Sequence, residues 1–551
     1  MAQVLQDDSA LEAGAVSTKV TPLYADPTVH ARRWSILAVL NLSLLIVFIG
    51  NSSLNVAIPT LSRDLHASNT QLQWVIAAYS LVFAGLLFSS GAIGDRFGRK
   101  GALQVGLGVY LVACLAATES QSMTQLIACR ALMGVGAAFI MPSTLSILVN
   151  VFSPQERARA IAIWASITGA AGAIGPVASG WLIGHFWYGS VFLVNVPILA
   201  LALVAGHRLL PKSSDDQHAR LDPIGSILSV IGIVAIVYGL IEAPDTGWGS
   251  AKTLACFAFG VAVLFVFALY ELRSDEPMLD IRYFRVPAFS TGTGGMVLVF
   301  MAMYGAMFLL TQYFQLVLGY SALGAAVRFL PMAPIMLYVA PRTPRLSQRF
   351  GSHRVVTFGM ACIALGMLAF RGLGPHTSYL YLLLGLLPLV TGMALAMSPM
   401  TAAIMSAVPA RRAGAGSAMN DATRELGAGL GIAVMGSIAS SQYAHHVDSV
   451  TRGLSPAVAR TARTSLADAI DAAGKLPHSA QTALTTGAQH AFVDALHVTV
   501  SIGGLLAVAA AVAVHRYLPR DLGDEAAFHG AEVDDVSEVR AAQVSVAGLD
   551  I

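Results

Sequence analysis

The stretch Gly91-Ala92-Ile93-Gly94-Asp95-Arg96-Phe97-Gly98-Arg99-Lys100 lies between two long apolar runs of the chain. The runs cover roughly 72–90 and 102–118, and an apolar run of about 20 residues is long enough to cross a bilayer as a helix. The sequence therefore predicts two membrane spans joined by a short, highly charged turn. Glycine at 91 and 98 permits close backbone approach and a tight turn, and Asp95 is placed to pair with the surrounding cations.

The composition of the whole chain indicates a polytopic membrane protein. Of its 551 residues, 56% are hydrophobic and 12% are charged, against roughly 25% charged residues in a typical soluble domain. The net charge of +2 gives no indication of nucleic-acid binding. All four cysteines fall inside apolar runs without the spacing of metal ligands, which favours small core residues over a disulfide framework.

The apolar runs predict an all-α membrane protein with fourteen transmembrane helices. We expect these spans near 34–57, 71–93, 102–118, 124–147, 157–184, 190–210, 223–243, 250–272, 289–315, 322–341, 354–373, 381–407, 414–440 and 493–514. Most Lys and Arg residues of the short loops then lie on one side of the membrane, and such loops are normally cytoplasmic. This predicts a multi-pass protein of the cell (inner or plasma) membrane with both termini in the cytoplasm.

An internal repeat divides the chain into two halves. The segment 344–354 is a worn copy of the opening stretch, and its Arg349-Phe350-Gly351 matches Arg96-Phe97-Gly98. Each copy follows the second span of a group of six, which predicts a 6+2+6 arrangement of two pseudo-symmetric bundles with an inserted pair of helices. The expected parts are a cytosolic tail at 1–33, a bundle at 34–210, the insert with its flanking loops at 211–288, a second bundle at 289–514 and a disordered cytosolic tail at 515–551. Within the second bundle, 443–492 is expected to be an outer loop that could carry one amphipathic surface helix.

Three motifs resemble those of one transporter branch. The opening stretch resembles the loop pattern G-x-L-x-D-R-x-G-R-K of major facilitator superfamily transporters, with Ile93 in the leucine position. The run Ala171-Gly172-Ala173-Ile174-Gly175-Pro176-Val177-Ala178-Ser179-Gly180 is similar to the antiporter motif of drug-exporting facilitators. Arg130 begins a stretch similar to their R-x-x-x-G motif. The chain therefore resembles the fourteen-span drug:proton antiporter family, which implies the major facilitator fold.

The resemblance assigns roles to two groups of residues. The expected gating loop comprises Gly91, Asp95, Arg96, Gly98, Arg99 and Lys100, and the expected antiporter motif comprises Gly172, Gly175, Pro176 and Gly180. Proline removes a helix hydrogen bond, and small residues beside it permit a bend and close packing against another helix. The alternative interpretations are a turn that is basic only because of its topology and an ordinary small-residue packing face.

Two positions depart from the family pattern. The family usually carries an aspartate in span 1, where this chain has Gly50, and many relatives carry an acid in span 2, where it has Ala77. Arg130 therefore lacks the acidic partners that its relatives offer.

The remaining intramembrane charges are the candidates for proton coupling, because a charge at the bilayer centre costs roughly 2.5–3.5 kcal/mol on insertion scales. The candidates are Arg130, Asp421, Arg424 and Glu425, and Arg328 in span 10 is a further buried charge expected near an outer cavity. Arg424 is placed to pair with Asp421 on one helix, and Glu425 is expected at nearly the depth of Arg130. We expect Glu425 to pair with Arg130 and to carry protons, with Asp421 secondary. The alternative is a set of structural ion pairs that join helices.

The expected substrate cavity collects polar and flexible side chains of the spans. They are Asn51, Asn55, Tyr79, Tyr304, Gln312, Tyr313, Met393 and Met397. Flexible thioethers suit a site that accepts many apolar shapes, although methionines that simply pack against lipid fit the same pattern.

These features predict a proton-driven efflux transporter of hydrophobic or amphipathic small molecules that works by alternating access. No phosphate-binding loop, metal constellation or nucleophile–base pair is visible in the sequence, so we expect neither an enzyme nor a cofactor. The expected partners are the lipid bilayer, a small-molecule substrate and protons. Two alternatives remain open: an importer or symporter of a small polar solute, and a non-transporting membrane sensor or scaffold.

Overall fold

A computed structural model describes residues 23–211, 222–274, 277–408 and 413–520. Nearly all of these residues are helical, and none of the described residues forms a strand. Twelve helices in this part of the chain are long and apolar enough to cross a membrane. The predicted all-helical membrane fold is confirmed, whereas this criterion gives fewer spans than the fourteen predicted. The C-terminal tail predicted to be disordered begins at 515, but the last described helix continues to Tyr517, so the prediction is wrong at its first residues. Residues from 521 onward lie outside the described part.

Six helices make up the first half. They are α1 Pro27–Asp64, α2 Asn69–Phe97, α3 Arg99–Thr118, α4 Met123–Val151, α5 Pro154–His185 and α6, which has two pieces, Ser190–Leu193 and Asn195–Leu209. Asp26 accepts a hydrogen bond from the backbone N–H of Thr28 at 2.8 Å and caps α1. The sequence predicted a tail that extends to residue 33, but the capped helix already begins at Pro27.

An inserted pair and a second set of helices follow. They are α7 Pro223–Thr246, α8 Ala251–Arg273, α9 Pro287–Gln312 with a π-helical end at Tyr313–Val317, α10 in the pieces Ala322–Arg328, Met332–Val339 and Thr343–Phe350, α11 Ser352–Ala369, α12 Tyr379–Ser406 and α13 Ala413–Val450. The long helices α5 and α13 are not among the twelve. They nevertheless overlap the positions predicted for spans 5 and 13.

The segment 443–492, which the sequence predicts to be an outer loop, is mostly helical. Helix α13 continues to Val450, and α14 Pro456–Thr464 and α15 Leu466–Ala473 precede α16 His478–Tyr517. The sequence predicted one amphipathic helix here, but the extended backbone of Ser465 (φ −162°) separates two, and its side chain caps the second. We call α14 and α15 the cap, and the side of the molecule that bears them the cap face.

The repeated turn adopts the same backbone conformation in both halves. Gly98 and Gly351 have φ values of 108° and 84°, a region that favours glycine. Their N–H groups close the preceding helix by donating to Gly94 (3.0 Å) and Ser347 (2.9 Å), respectively. We call the side of the molecule with these two turns the arginine face. The repeat predicted from the sequence is therefore also present in the backbone conformation.

Helix packing repeats in the same way. In the first half α1 packs on α5, and both α2 and α3 pack on α4, while in the second α9 packs on α13, and both α10 and α11 pack on α12. A Cβ on Gly106 would lie 2.9 Å from the carbonyl oxygen of Gly136, and one on Gly359 would lie 2.9 Å from that of Gly392. The equivalent pairs α3–α4 and α11–α12 thus meet through glycines, and the two halves share one packing scheme.

We predict that Gly98→Ala lowers the thermal unfolding midpoint of the purified protein, because a residue with a Cβ in so sparsely populated a backbone region costs about 1–3 kcal/mol. Gly101→Ala is the matched control, since Gly101 lies inside α3 with no atom within 4 Å of an added Cβ. Alanine there should be neutral or slightly stabilising. Equal midpoints for the two variants would contradict the argument for Gly98.

Candidate functional site

The charged side chains of the repeated turn bind to the turn itself and to α6. Arg99 Nε donates to Asp95 Oδ1 at 2.8 Å. Lys100 Nζ donates to the carbonyls of His207 (2.7 Å) and Leu210 (2.8 Å), where α6 ends with unsatisfied carbonyl groups. Lys100 therefore joins the turn to the end of another helix, which a purely surface-exposed basic residue would not do.

Arg96 and Gly91, two further residues of the predicted gating loop, make fewer contacts with the rest of the protein. The guanidinium of Arg96 lies 5.4 Å from the ring of exposed Phe97. A Cβ on Gly91 would meet only Pro142 at 3.7 Å, which is ordinary van der Waals contact. The prediction that glycine is needed at 91 for close approach is therefore wrong, because no neighbour excludes a side chain there.

The antiporter motif brings α5 against α1 and α10. A Cβ on Gly175 would collide with the hydroxyl of Ser52, and one on Gly180 would lie 2.8 Å from the Cα of Leu323. Pro176 between them is buried, and Ser53 Oγ donates to the carbonyl of Gly175 at 3.1 Å. Close packing at this motif is therefore present on two sides of the helix.

Gly172 does not take part in this packing. It is exposed, and nothing lies within 4 Å of a Cβ added there. The prediction that all of the motif's glycines mediate close packing is wrong at this position, because Gly172 faces away from α1.

Arg130 is fully buried in α4. Its Nε donates to the carbonyl of Val75 (3.1 Å) and its Nη1 to the carbonyl of Gly50 (3.3 Å), while the guanidinium lies 4.3 Å from the ring centroid of Tyr79. Nη2 has no hydrogen-bond partner. Two main-chain carbonyls and an aromatic face thus surround a charge that retains one unused donor group.

The neighbourhood of Gly50 explains how this chain accommodates the residue. A Cβ on Gly50 would collide with the hydroxyl of Tyr110, and that buried hydroxyl makes no hydrogen bond. Tyr110 of α3 therefore occupies the space that a span 1 side chain would need. Ala77 is also fully buried, in an apolar cluster formed with Leu81 and Val237.

The second group of charges lies on α13. Arg424 Nη1 is 3.8 Å from Asp421 Oδ1, so the predicted ion pair is present. Glu425 lies beside Ser80 of α2, and Arg130 and Arg424 are the cations that act on it. Its buried Oε2 and the hydroxyl of Ser80 have no hydrogen-bond partner.

The predicted ion pair between Arg130 and Glu425 is absent. Within the described residues, no carboxylate oxygen lies within 4.0 Å of Arg130, whose donors are directed to backbone carbonyls instead. The depth estimate from sequence placed the two residues at similar levels but could not give the rotation of each helix.

The residues predicted to line the substrate cavity have different surroundings in the structure. Tyr304, Met393 and Met397 are half-buried, and the Oδ1 atoms of Asn51 and Asn55 are buried without a hydrogen-bond partner. Tyr79 instead lies against Arg130.

Two of the predicted cavity residues lie at the end of α9 and form hydrogen bonds there. The hydroxyl of Tyr313 donates to the carbonyl of Gly374 at 2.5 Å, and Gln312 Nε2 donates to Phe308 within its own helix at 3.4 Å. Both side chains are buried. Their polar groups are used within the second half of the chain, and their place in a substrate cavity stays a prediction.

Sequence reasoning missed a polar contact between the two halves. Ser437 Oγ of α13 donates to Gln73 Oε1 of α2 at 3.1 Å, and both side chains are fully buried. A glutamine inside the apolar run of span 2 was the available signal, since a buried amide in a membrane needs a partner.

The fold is that of a polytopic, helical membrane protein. The chain belongs to the Major Facilitator Superfamily, whose family model matches residues 40–432, and it is therefore a membrane transporter and not an enzyme. The computed structure resembles a bacterial homologue of the lysosomal transporter Spinster with a TM-score of 0.60 at 18% identity, over 89% of this chain and 98% of that one. It also resembles the xylose transporter XylE from E. coli (TM-score 0.56, 13% identity, 91% and 99% coverage). At these identities the structural likeness concerns the fold alone.

Curated relatives are similar over nearly the full length of the chain. The multidrug efflux pump LfrA of Mycolicibacterium smegmatis is 35% identical, over 91% of this chain and 98% of the pump. The methyl viologen resistance protein SmvA of Salmonella typhimurium is 33% identical, over 87% and 97%. The tetracenomycin C resistance and export protein of Streptomyces glaucescens is 31% identical, over 88% and 92%.

We predict that Gly175→Leu abolishes transport, because its side chain would push α5 away from Ser52. Gly172→Leu in the same helix is the matched control and should transport at the parental rate. Uptake into inverted membrane vesicles, normalised to the amount of folded protein by size-exclusion chromatography, measures both. Parental activity in Gly175→Leu would show that α1 and α5 need not pack closely.

Proposed function

We propose that this protein is a proton-driven efflux transporter that exports hydrophobic or amphipathic small molecules, such as drugs, antibiotics or lipid-like metabolites. The observation that carries the proposal is the full-length similarity to efflux and resistance proteins, at 31–35% identity over 87–91% of this chain. Two of these relatives are named for different compounds, methyl viologen and tetracenomycin C, and the third is named as a multidrug pump. This supports a broad substrate class better than a single small polar solute.

The proposed arrangement has fourteen spans as 6+2+6. The bundles are 34–210 and 289–514, and the insert with its flanking loops occupies 211–288. The repeated packing of α1–α6 and α9–α13 supports this division. Loops rich in Lys and Arg are normally cytoplasmic, so we assign the arginine face and both termini to the cytoplasm, and the cap face to the outside of the cell membrane.

Alternating access is supported by the contacts between the two halves near the cap face. Gly180 of α5 adjoins Leu323 of α10, and Gln315 Nε2 donates to the carbonyl of Val56 at 3.0 Å. The bond between Ser437 and Gln73 joins α13 to α2 on the same side. Export would require these contacts to separate, since each connects one half of the chain to the other.

Glu425 is the proposed proton carrier, with Asp421 secondary. Asp421 already pairs with Arg424, whereas Oε2 of Glu425 is buried and unpartnered. Arg130 has a free donor, Nη2, and acts electrostatically on Glu425. A carboxyl between a cation and an apolar interior can change protonation when helices move, because attraction favours the charged form and desolvation favours the neutral one.

The proposed substrate surface is apolar and adaptable. Half-buried Met393 and Met397 of α12 and Tyr304 of α9 provide flexible thioethers and one aromatic ring. Tyr304 lies near Glu425, so a bound substrate would approach the proposed carrier.

We expect cells that produce the protein to accumulate less of a lipophilic dye than cells without it. A protonophore should abolish the difference, because dissipating the proton gradient removes the driving force. The assay should include one neutral and one cationic dye, since this chain has Gly50 and Ala77 at the family's acidic positions. Increased accumulation would indicate an importer, and equal accumulation across a drug panel would indicate a sensor or scaffold.

The role of Glu425 is tested in proteoliposomes. We expect Glu425→Gln to abolish substrate-induced proton movement between about pH 6 and about pH 8, because glutamine cannot bind and release a proton there. Glu425→Asp should retain part of the signal. Glu119→Gln, which alters an exposed acid of the cap face, is the matched control. Proton movement equal to the parent in Glu425→Gln would make Glu425 a structural residue.

A further inference from the structure

Two acidic side chains outside the proposed transport path meet where α7 begins and α8 ends. Asp222 caps α7, and its Oδ1 accepts a hydrogen bond from the N–H of Gly225 at 2.8 Å. Glu271 of α8 is 2% exposed, and its Oε2 accepts from the N–H of Leu279 at 3.4 Å. One oxygen of each carboxyl group is thus held by a backbone donor.

The other oxygen of each group is buried without a hydrogen-bond partner. Asp222 Oδ2 and Glu271 Oε1 both lie 2.5 Å from the position of a Cβ on Gly225. They therefore converge on the small space left by that missing side chain. An acceptor facing an acceptor cannot form a hydrogen bond unless a proton lies between them.

No described cation neutralises the pair. No Lys, Arg or His side chain of the described residues lies within 4.0 Å of either carboxyl group. The neighbours that act on the pair are neutral donors: the hydroxyl of Tyr270 on Asp222 and the backbone of Met278 on Glu271. The other titratable or charged side chains of the adjoining described segments are Tyr270 and Arg273 on α8, Asp280, Arg282, Tyr283 and Arg285 after it, and Asp95 and Arg96 at the end of α2. Asp280 and Asp95 have their own partners, Arg282 at 4.0 Å and Arg99 at 2.8 Å, and Arg273 is exposed.

A metal ion does not fit this pair. Among the described residues no group of three or more His, Cys, Asp or Glu side chains is placed to hold one. Two adjacent carboxylates without a cation repel each other, and pairs of this kind bind one proton jointly. A carboxylic acid is also a hydrogen-bond donor, so a single proton would satisfy both orphan oxygens.

We propose that Asp222 and Glu271 form a proton-binding site, in which one proton is shared between Asp222 Oδ2 and Glu271 Oε1. The proton comes from water at the arginine face, and no other bond changes. This inference concerns the charge of the pair alone and does not depend on which substrate is transported or on Glu425.

The surroundings of the pair give the bound proton a structural consequence. Ser226, one turn into α7, lies 3.2 Å from the sulfur of Met278 and forms a hydrogen bond with Ser89 of α2. The Leu279 N–H that binds Glu271 belongs to the segment leading into α9. The shared proton would therefore stabilise a junction of the first half, the insert and the connection to the second half, and its loss would place two negative charges there.

Infrared difference spectroscopy of the full-length protein in lipid nanodiscs tests this site. The carbonyl stretch of a protonated carboxyl group is resolved from carboxylate bands. The parent is Glu425→Gln, which removes the proposed main proton carrier, and the Asp222 and Glu271 variants distinguish the band of this pair from any band of Asp421. We expect one protonated carboxyl band near neutral pH that disappears as the pH is raised. Glu271→Gln and Asp222→Asn should each lack it, whereas Glu119→Gln should retain it.

The variants keep the test decisive. Glutamine at 271 supplies an amide donor in place of the proton, and asparagine at 222 remains a good helix cap, so each can preserve the local structure. Either variant suffices should the other not fold. An unchanged band in a folded variant overturns the proposal, as does the absence of any band in the parent. Loss of the band on adding sodium chloride at constant pH would indicate a cation site instead and would also overturn it.

Discussion

Close contact between membrane helices is the constraint on which this structure depends. Lipid is as apolar as the helix surfaces, so helices in a bilayer associate through packing and hydrogen bonds, and small residues permit the tightest contact. In both halves glycine lies where a carbonyl of the neighbouring helix leaves no room for a side chain, as at Gly136 beside Gly106 and Gly392 beside Gly359. Because the equivalent pair of helices uses the same contact in each half, the packing also preserves the internal repeat.

The same proximity allows the chain to bury Arg130 without a carboxylate. A helical carbonyl already accepts one hydrogen bond along its own helix and retains a second lone pair. Gly134, one turn after Arg130, packs so closely on α2 that its Cβ would lie 2.6 Å from the carbonyl oxygen of Tyr79. The guanidinium can therefore reach Val75 on α2 as well as Gly50 on α1. The carbonyls of Val75 and Gly50 and the ring of Tyr79 thus surround a charge that an acid would otherwise neutralise. An acid at position 50 would not fit, because its side chain would collide with Tyr110.

Much of the fold could be predicted from the sequence, because apolar length and local turn residues determine spans and turns one at a time. The positions of the helices, the repeat at Gly98 and Gly351, and the pair Asp421–Arg424 all depend on neighbours close in sequence. The contacts of Arg130, Gly172 and Tyr313 depend instead on how each helix is rotated against distant ones, which a single sequence does not specify. The helical content of 443–492 was underestimated for another reason: its polar, alanine-rich helices resemble neither a span nor a turn.

Two acids placed similarly by sequence differ in the structure. Asp421 and Glu425 are one turn apart on α13, yet Asp421 has Arg424 at 3.8 Å, while Glu425 faces Ser80 across the boundary between the halves. A charge paired within one helix moves with that helix, and its environment changes little when the halves separate. The environment of a carboxyl at the boundary must change, because its neighbours Ser80 and Arg130 belong to the other half. That difference makes Glu425 the better candidate for linking protonation to movement, although sequence reasoning chose it for a partner that it does not have here.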